Sequence, residues 1–143
     1  MQCSPKSPRR STAGEGGFTL IEVMIVVVIV AILATIAYPS YQDQVMRSRR
    51  SAAAVCLQER AQFMERYYTT QLTYVGAPDP AQCDGSVARF YQVQARGVTA
   101  RAYTLDAVPQ GAQAARDTKC ATLSTNQRGE RSASGTAGAG ECW

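Results

Sequence analysis

Histidine is absent from all 143 residues, which removes the side chain most used as a general base near neutrality and as a metal ligand. Of the five cysteines, no two among Cys56, Cys83, Cys120 and Cys142 lie only two to four residues apart, so a four-thiolate zinc site lacks its usual spacing. No acidic cluster stands ready to bind calcium. Asp, Glu, Ser and Lys all occur, but nothing is spaced as a catalytic constellation, so no enzyme is expected and no cofactor or metal is assigned. Charge is scarcest at one place: from Phe18 to Ala37 only Glu22 is charged, and no Lys or Arg lies between Phe18 and Met46.

That run holds twenty residues, and at about 1.5 Å per helical residue it covers the roughly 30 Å hydrocarbon core of a bilayer. A cleaved secretory signal is the plain rival. It is excluded because the run exceeds an apolar region of roughly 7–15 residues, carries an acid near its start and is not followed by an Ala-x-Ala-like site. Lys6, Arg9 and Arg10 precede the span, which keeps that end cytoplasmic and sends residues from 39 onward outside. The chain therefore divides into a leader (1–17), a membrane helix (18–38) and an exported domain (39–143). Glu22 inside such a helix costs roughly 2.5–3.5 kcal/mol at the centre and less near the edge, so it needs either access to water or a cationic partner. A free amine on Phe18, made by cutting after Gly17, is such a partner, from the same helix or a neighbouring copy.

The formal charge is +4, and a leader holding Lys6, Arg9, Arg10 and Glu15 carries two of those charges away, leaving +2. That is a mild bias, not a nucleic-acid signature by itself. Cys3 belongs to the leader, and an even four cysteines in a small exported domain read as two disulfides in an oxidising compartment. Four cysteines permit three connectivities. Ser132–Gly140 is nearly all Ser, Gly, Ala and Thr, and it needs a covalent staple to hold one shape. A Cys120–Cys142 bridge would bracket it and stabilise it by roughly 3 kcal/mol, leaving Cys56 to tie to Cys83.

Pro39 is expected to bend or loosen the helix just past the apolar run, and helix resumes over 40–68 without Gly or Pro. Ala53, Leu57, Ala61, Met64 and Tyr68 form its inner stripe, flanked by Ala52, Cys56, Phe63 and Tyr67. Gln58, Glu59, Gln62, Glu65 and Arg66 lie opposite, facing solvent. Arg60 interrupts the apolar face and is expected to snorkel or to pair with an acid from a sheet. Arg47, Arg49 and Arg50 read as a solvated basic collar. Residues 69–87 read as a loop, Arg89–Ala95 and Ala100–Val108 as an antiparallel pair, Pro109–Ala115 as a loop, Lys119–Asn126 as a third strand and Arg128-Gly129-Glu130 as a turn.

Gly17-Phe18-Thr19-Leu20-Ile21-Glu22 with the apolar run behind it resembles the class III signal of type IV pilins and pseudopilins. The resemblance implies a prepilin peptidase that cuts between Gly17 and Phe18 and methylates Phe18. It also makes Glu22 the assembly acid that pairs with an incoming subunit's amine, and a proline near Pro39 recurs in that family. The segment Arg116–Arg131 and the ending Glu141-Cys142-Trp143 are similar to PilE-type minor pilins of type IVa pili. Together these likenesses imply an α+β fold: a long N-terminal helix packed on a three- or four-stranded antiparallel sheet, with a disulfide-bounded C-terminal loop. The implied partners are other major and minor pilins, the peptidase/methyltransferase, an inner-membrane assembly platform and, before assembly, lipid. The implied locations are the bacterial inner membrane and then the extracellular filament, supporting pilus biogenesis, twitching motility and adhesion.

Two alternatives carry different predictions. A ComP-like DNA-binding pilin would use Arg89, Arg96, Arg101, Arg116, Lys119 and Arg128 near Tyr91, Tyr103 and Trp143, with affinity falling steeply in salt. A type II secretion pseudopilin shares the N-terminal motif, but its relatives commonly use a calcium-bound C-terminal loop, for which this chain lacks the acids.

Overall fold

The computed structural model describes residues 17–143. The leader expected at 1–17, Cys3 included, lies outside the described residues except for Gly17. Two compact units divide at Pro39 and Ser40, and one helix, α1 (Leu20–Gln71), contributes to both.

In the first unit, Thr19 caps α1: its hydroxyl accepts the Glu22 backbone N–H at 3.3 Å, and its carbonyl accepts Val23 N–H at 3.2 Å. The spacing is that of a capping box, with an acid at the third helical position beside the partial positive charge of the helix start. Every residue from Gly17 to Tyr41 is exposed, Ile36 at 70% among them. This is the one described helix long and apolar enough to cross a membrane. Valine and isoleucine are mediocre helix formers in water; in lipid, the need to satisfy every backbone group internally holds the helix. The helix continues through Pro39, which has no N–H to offer the Thr35 carbonyl.

The second unit packs the rest of α1 on a four-stranded antiparallel sheet in the order β1-β2-β3-β4. Its strands are β1 (Tyr91–Arg96), β2 (Thr104–Pro109), β3 (Leu123–Asn126) and β4 (Arg131–Ala133). Ala53, Leu57 and Met64 are buried, with Ala61 and Tyr68 half-buried beside them, along the predicted stripe. Against them stand Tyr91, Val93, Leu105, Ala107 and Leu123, alternate residues of their strands. Leu57, Leu105 and Leu123 are wholly buried, and each contributes about 1.5–3 kcal/mol. Cys56–Cys83 fastens the loop after α1 to the helix, and Cys120–Cys142 closes the C-terminal segment. Every buried apolar side chain among the described residues lies at or beyond Ala53. Residues 40–143 thus form one compact unit that contains the whole buried core and both bridges, which is what a fragment needs to fold on its own.

Several boundaries differ from expectation for local reasons. Strand β2 starts at Thr104 rather than Ala100, because Thr99 closes a turn on Ala102 with its N–H (2.8 Å) and hydroxyl (3.0 Å). Strand β3 starts at Leu123 rather than Lys119, because Ala121 adopts φ 50°, a left-handed conformation no strand tolerates. The expected loop after Pro109 contains helix α3 (Gly111–Arg116), and short helices α2 (Gly85–Ala88) and α4 (Ala139–Cys142) occur where the pattern predicts none. Part of the Ser132–Gly140 stretch belongs to β4. Gly135 allows the close approach there: a Cβ would sit 2.1 Å from the Lys119 carbonyl oxygen.

One outer strand, β1, carries a side-chain cap on its free edge. Gln82 accepts Val93 N–H (2.9 Å) and donates to Val93 O (2.7 Å) on β1. The Trp143 indole donates to Ser132 O (2.9 Å) on β4.

Candidate functional site

The N-terminal element is simple. Phe18 is 82% exposed, Gly17 and Phe18 precede the helix, and Glu22 follows one turn later with its backbone N–H held by Thr19. The carboxylate takes part in no ion pair among the described residues, so the helix presents an acid and an apolar surface to whatever surrounds it.

In the second unit the polar groups form two buried networks. Arg50 donates to Asp117 at 2.6 Å, and Asp117, 5% exposed, also accepts from Tyr91 Oη (3.2 Å) and Gln113 Nε2 (3.0 Å). Gln113 is wholly buried and also donates to Met46 O (3.3 Å) and Tyr91 Oη (3.1 Å). Helix α1, strand β1 and helix α3 meet at this cluster. Burial, followed by the Asp117 charge, raises the Tyr91 phenol well above its ordinary value. The second network centres on Glu65, which accepts from Tyr103 Oη (2.9 Å) and Tyr74 Oη (3.0 Å). Tyr74 stacks on Tyr68 with centroids 4.6 Å apart and meets Tyr103 edge-on at 4.8 Å. Burial first, then the Glu65 bond, pushes Tyr74 up to about 12 and raises Tyr103 likewise.

These networks correct three readings. Glu65 does not face solvent with Gln62 and Arg66; it turns in to two tyrosines. Arg50 is not a free collar residue, and Arg49 lies 3.6 Å from the centre of the Phe90 ring, leaving Arg47 exposed alone. Arg60 finds no acid: its contact is a long 3.4 Å bond to Gln82 O, with Nε unpartnered. Periodicity flags faces but cannot see that a tyrosine hydroxyl from a distant strand lowers the cost of a half-buried carboxylate.

The basic candidates scatter. Arg89, Arg101, Arg116 and Lys119 are exposed and make no ion pair among the described residues. Arg128 pairs with Glu130 at 3.6 Å, and Arg96 pairs through Nε with Asp106, whose hydrogen bond and charge raise the guanidinium further above its ordinary value. Tyr91 and Tyr103, expected beside the basic residues, are 0% and 2% exposed and cannot stack on a ligand. Arg131, absent from the expected set, lies over the Trp143 ring at 5.3 Å. A groove of about 740 Å³ gathers Arg47, Arg116 and Lys119 with Asp43 and Glu141. A second, of about 610 Å³, runs between α1 and the β3–β4 turn, lined by Gln58, Gln62, Arg66 and Arg131. No group of three metal-binding side chains occurs among the described residues.

Comparisons agree with this architecture. Residues 13–38 match the prokaryotic N-terminal methylation motif. Among solved structures, the Neisseria meningitidis non-core minor pilin PilV is 27% identical at a TM-score of 0.54, over 66% of this chain and 91% of that one. A type IV pilin from Shewanella oneidensis is 26% identical at a TM-score of 0.53, over 68% and 97%. No curated protein sequence matches. Residues 39–124 match the model described as type IV minor pilin ComP, DNA uptake sequence receptor. Since that match takes in more than half of its residues, the chain belongs to the ComP family of type IV minor pilins.

Proposed function

We propose that the chain is a minor structural subunit of a type IV pilus that is stored in the inner membrane and then assembled into the filament. Membership of the family implies association with other pilins in a pilus. Beyond that, the leader is removed between Gly17 and Phe18 by a prepilin peptidase, Phe18 is methylated, and an assembly platform lifts the subunit out of lipid. The observation that carries this reading is the exposed, uniformly apolar half of α1 with Glu22 as its one charge. Lipid satisfies that surface before assembly and neighbouring helices satisfy it afterwards, while an acid one turn from a free amine favours one register. Twitching motility and adhesion would depend on the subunit through the filament. The test is Glu22→Ala in cells making pili: the variant is inserted and cleaved but scarce in sheared filaments. Incorporation at the wild-type level would defeat the register argument.

A second reading, DNA binding during uptake, is favoured by the description of the matching family and by four cations without an ion pair among the described residues, Arg89, Arg101, Arg116 and Lys119. A gel-shift titration of residues 40–143 tests it. DNA binding that weakens steeply with salt is the expected result, and no binding at low salt would remove the reading.

A further inference from the structure

The two outer strands of the sheet are finished differently. On β1 the Gln82 amide takes up the outward N–H and carbonyl of Val93. On β4 the register decides which groups point outward. Asn126 donates to Glu130 O and Ser134 donates to Thr122 O. The hydrogen-bonded pairs of the β3–β4 hairpin are therefore Asn126 with Glu130, Ser124 with Ser132 and Thr122 with Ser134. Arg131 and Ala133 fall between them and turn their N–H and carbonyl groups away from β3. None of these four groups has a hydrogen-bond partner among the described residues. The Trp143 indole bonds Ser132 O, which faces β3, and so leaves this edge open.

Side chains beside the edge are unengaged too. Arg131 lies opposite Thr125, which lies opposite Leu105, so it stands on the α1 side of the sheet, over the Trp143 ring. There it lines the groove of about 610 Å³ between α1 and the β3–β4 turn, with Gln58, Gln62 and Arg66 on the helix wall. Neither Arg66 nor Arg131 makes an ion pair among the described residues. Glu65, the one acid lining the groove, is already held by Tyr74 and Tyr103. Glu130 projects from the other face, engaged by Arg128 and Asn126.

We infer that β4 is a docking edge for an extended acidic peptide of a partner protein, which adds as a fifth, antiparallel strand. Arg131 and Ala133 exchange main-chain hydrogen bonds with alternate peptide residues. An acid opposite Arg131 meets an uncompensated guanidinium on the groove side, while the residue opposite Ala133 continues the apolar side of the sheet. Charge selects this occupant. Two copies of β4 paired through the same groups would bring two Arg131 side chains onto one face, and Ser132 and Ala133 supply no acid to offset them. A strand carrying Glu or Asp turns that repulsion into attraction. So short an edge makes a weak, reversible contact. Docking here requires neither reading above to hold.

The test uses the full chain in a neutral detergent and the probe acetyl-Thr-Val-Thr-Glu-Thr-amide, with Trp143, the one tryptophan, as reporter. Trp143 emission changes saturably with peptide, and NMR shows amide exchange at Arg131 and Ala133 slowing in the complex. Methylating the backbone nitrogen of the peptide's glutamate removes the N–H that faces the Arg131 carbonyl and weakens binding about ten-fold. Glutamine in place of that glutamate, or Arg131→Gln in the protein, weakens it about three- to ten-fold, and either change blunts the salt dependence. Ala133→Pro removes an outward N–H that no native bond uses, so urea unfolding stays cooperative while peptide binding falls. If the N-methylated peptide binds like its parent, or no titration saturates, the edge is not a docking site. If exchange at Arg131 and Ala133 slows with protein concentration in the absence of peptide, the occupant is a second copy and the acidic partner is overturned.

Discussion

Asp117→Asn offers a sharp test of how the globular unit is held together. Arg50 is 14% exposed and Asp117 5%, so losing the carboxylate charge leaves a guanidinium nearly out of water without its counter-charge. Such a break costs about 3–5 kcal/mol; the remaining exposure of Arg50 and the acceptor oxygen of asparagine favour the lower end. Arg50→Met leaves Asp117 with two neutral donors, Tyr91 and Gln113, and costs less, about 1–3 kcal/mol. The double variant removes both charges and leaves neither stranded. It is expected to be more stable than the sum of the single losses predicts, by about 1 kcal/mol or more. Urea unfolding of residues 40–143 under non-reducing conditions, followed by Trp143 fluorescence and far-ultraviolet circular dichroism, measures all four corners. A coupling energy below about 0.5 kcal/mol would refute the reasoning, since contacting charges that do not couple are not holding α1 to Asp117.

Three further outcomes rest on local geometry. The folded-state values of Tyr74, Tyr91 and Tyr103 are raised, so their neutral phenols stabilise the fold below the ordinary value near 10. That stability is lost as pH climbs through the folded values, about 12 for Tyr74; a tyrosinate absorbance titration should show these three ionising late and together with unfolding. Leu72 holds φ 56° while 76% exposed, so Leu72→Gly relieves left-handed strain, loses little burial and raises stability by about 0.5 kcal/mol in thermal melts. Gly135→Ala drives a Cβ into the Lys119 carbonyl and lowers stability by about 1–3 kcal/mol, which urea unfolding resolves.

The parts legible in the sequence are those written in short-range code. The apolar run, the Gly17–Glu22 motif, the inner stripe of α1 and the turn at Arg128-Gly129-Glu130 each depend on neighbours within a few residues. What escapes depends on distant partners. Gln113 sits in a stretch of Gly, Ala and Gln that reads as loop, and its burial comes from acceptors on α1 and β1 that no local pattern reveals. Glu65 lies on the polar side of a helical wheel until Tyr74 and Tyr103 come round to meet it. Arg131 escapes notice because a lone arginine after a turn looks like any solvated charge; its place over the Trp143 ring exists only once β3 and β4 pair.

The Gln82 amide on β1 matters most where many copies crowd together. A bare outer strand invites a stranger's backbone to zip onto it, and in a filament strangers are always within reach. With the outward N–H and carbonyl of Val93 taken up by an amide of the same chain, the β1 rim has less to offer a neighbour, and heads can stand shoulder to shoulder without fusing into a common ribbon.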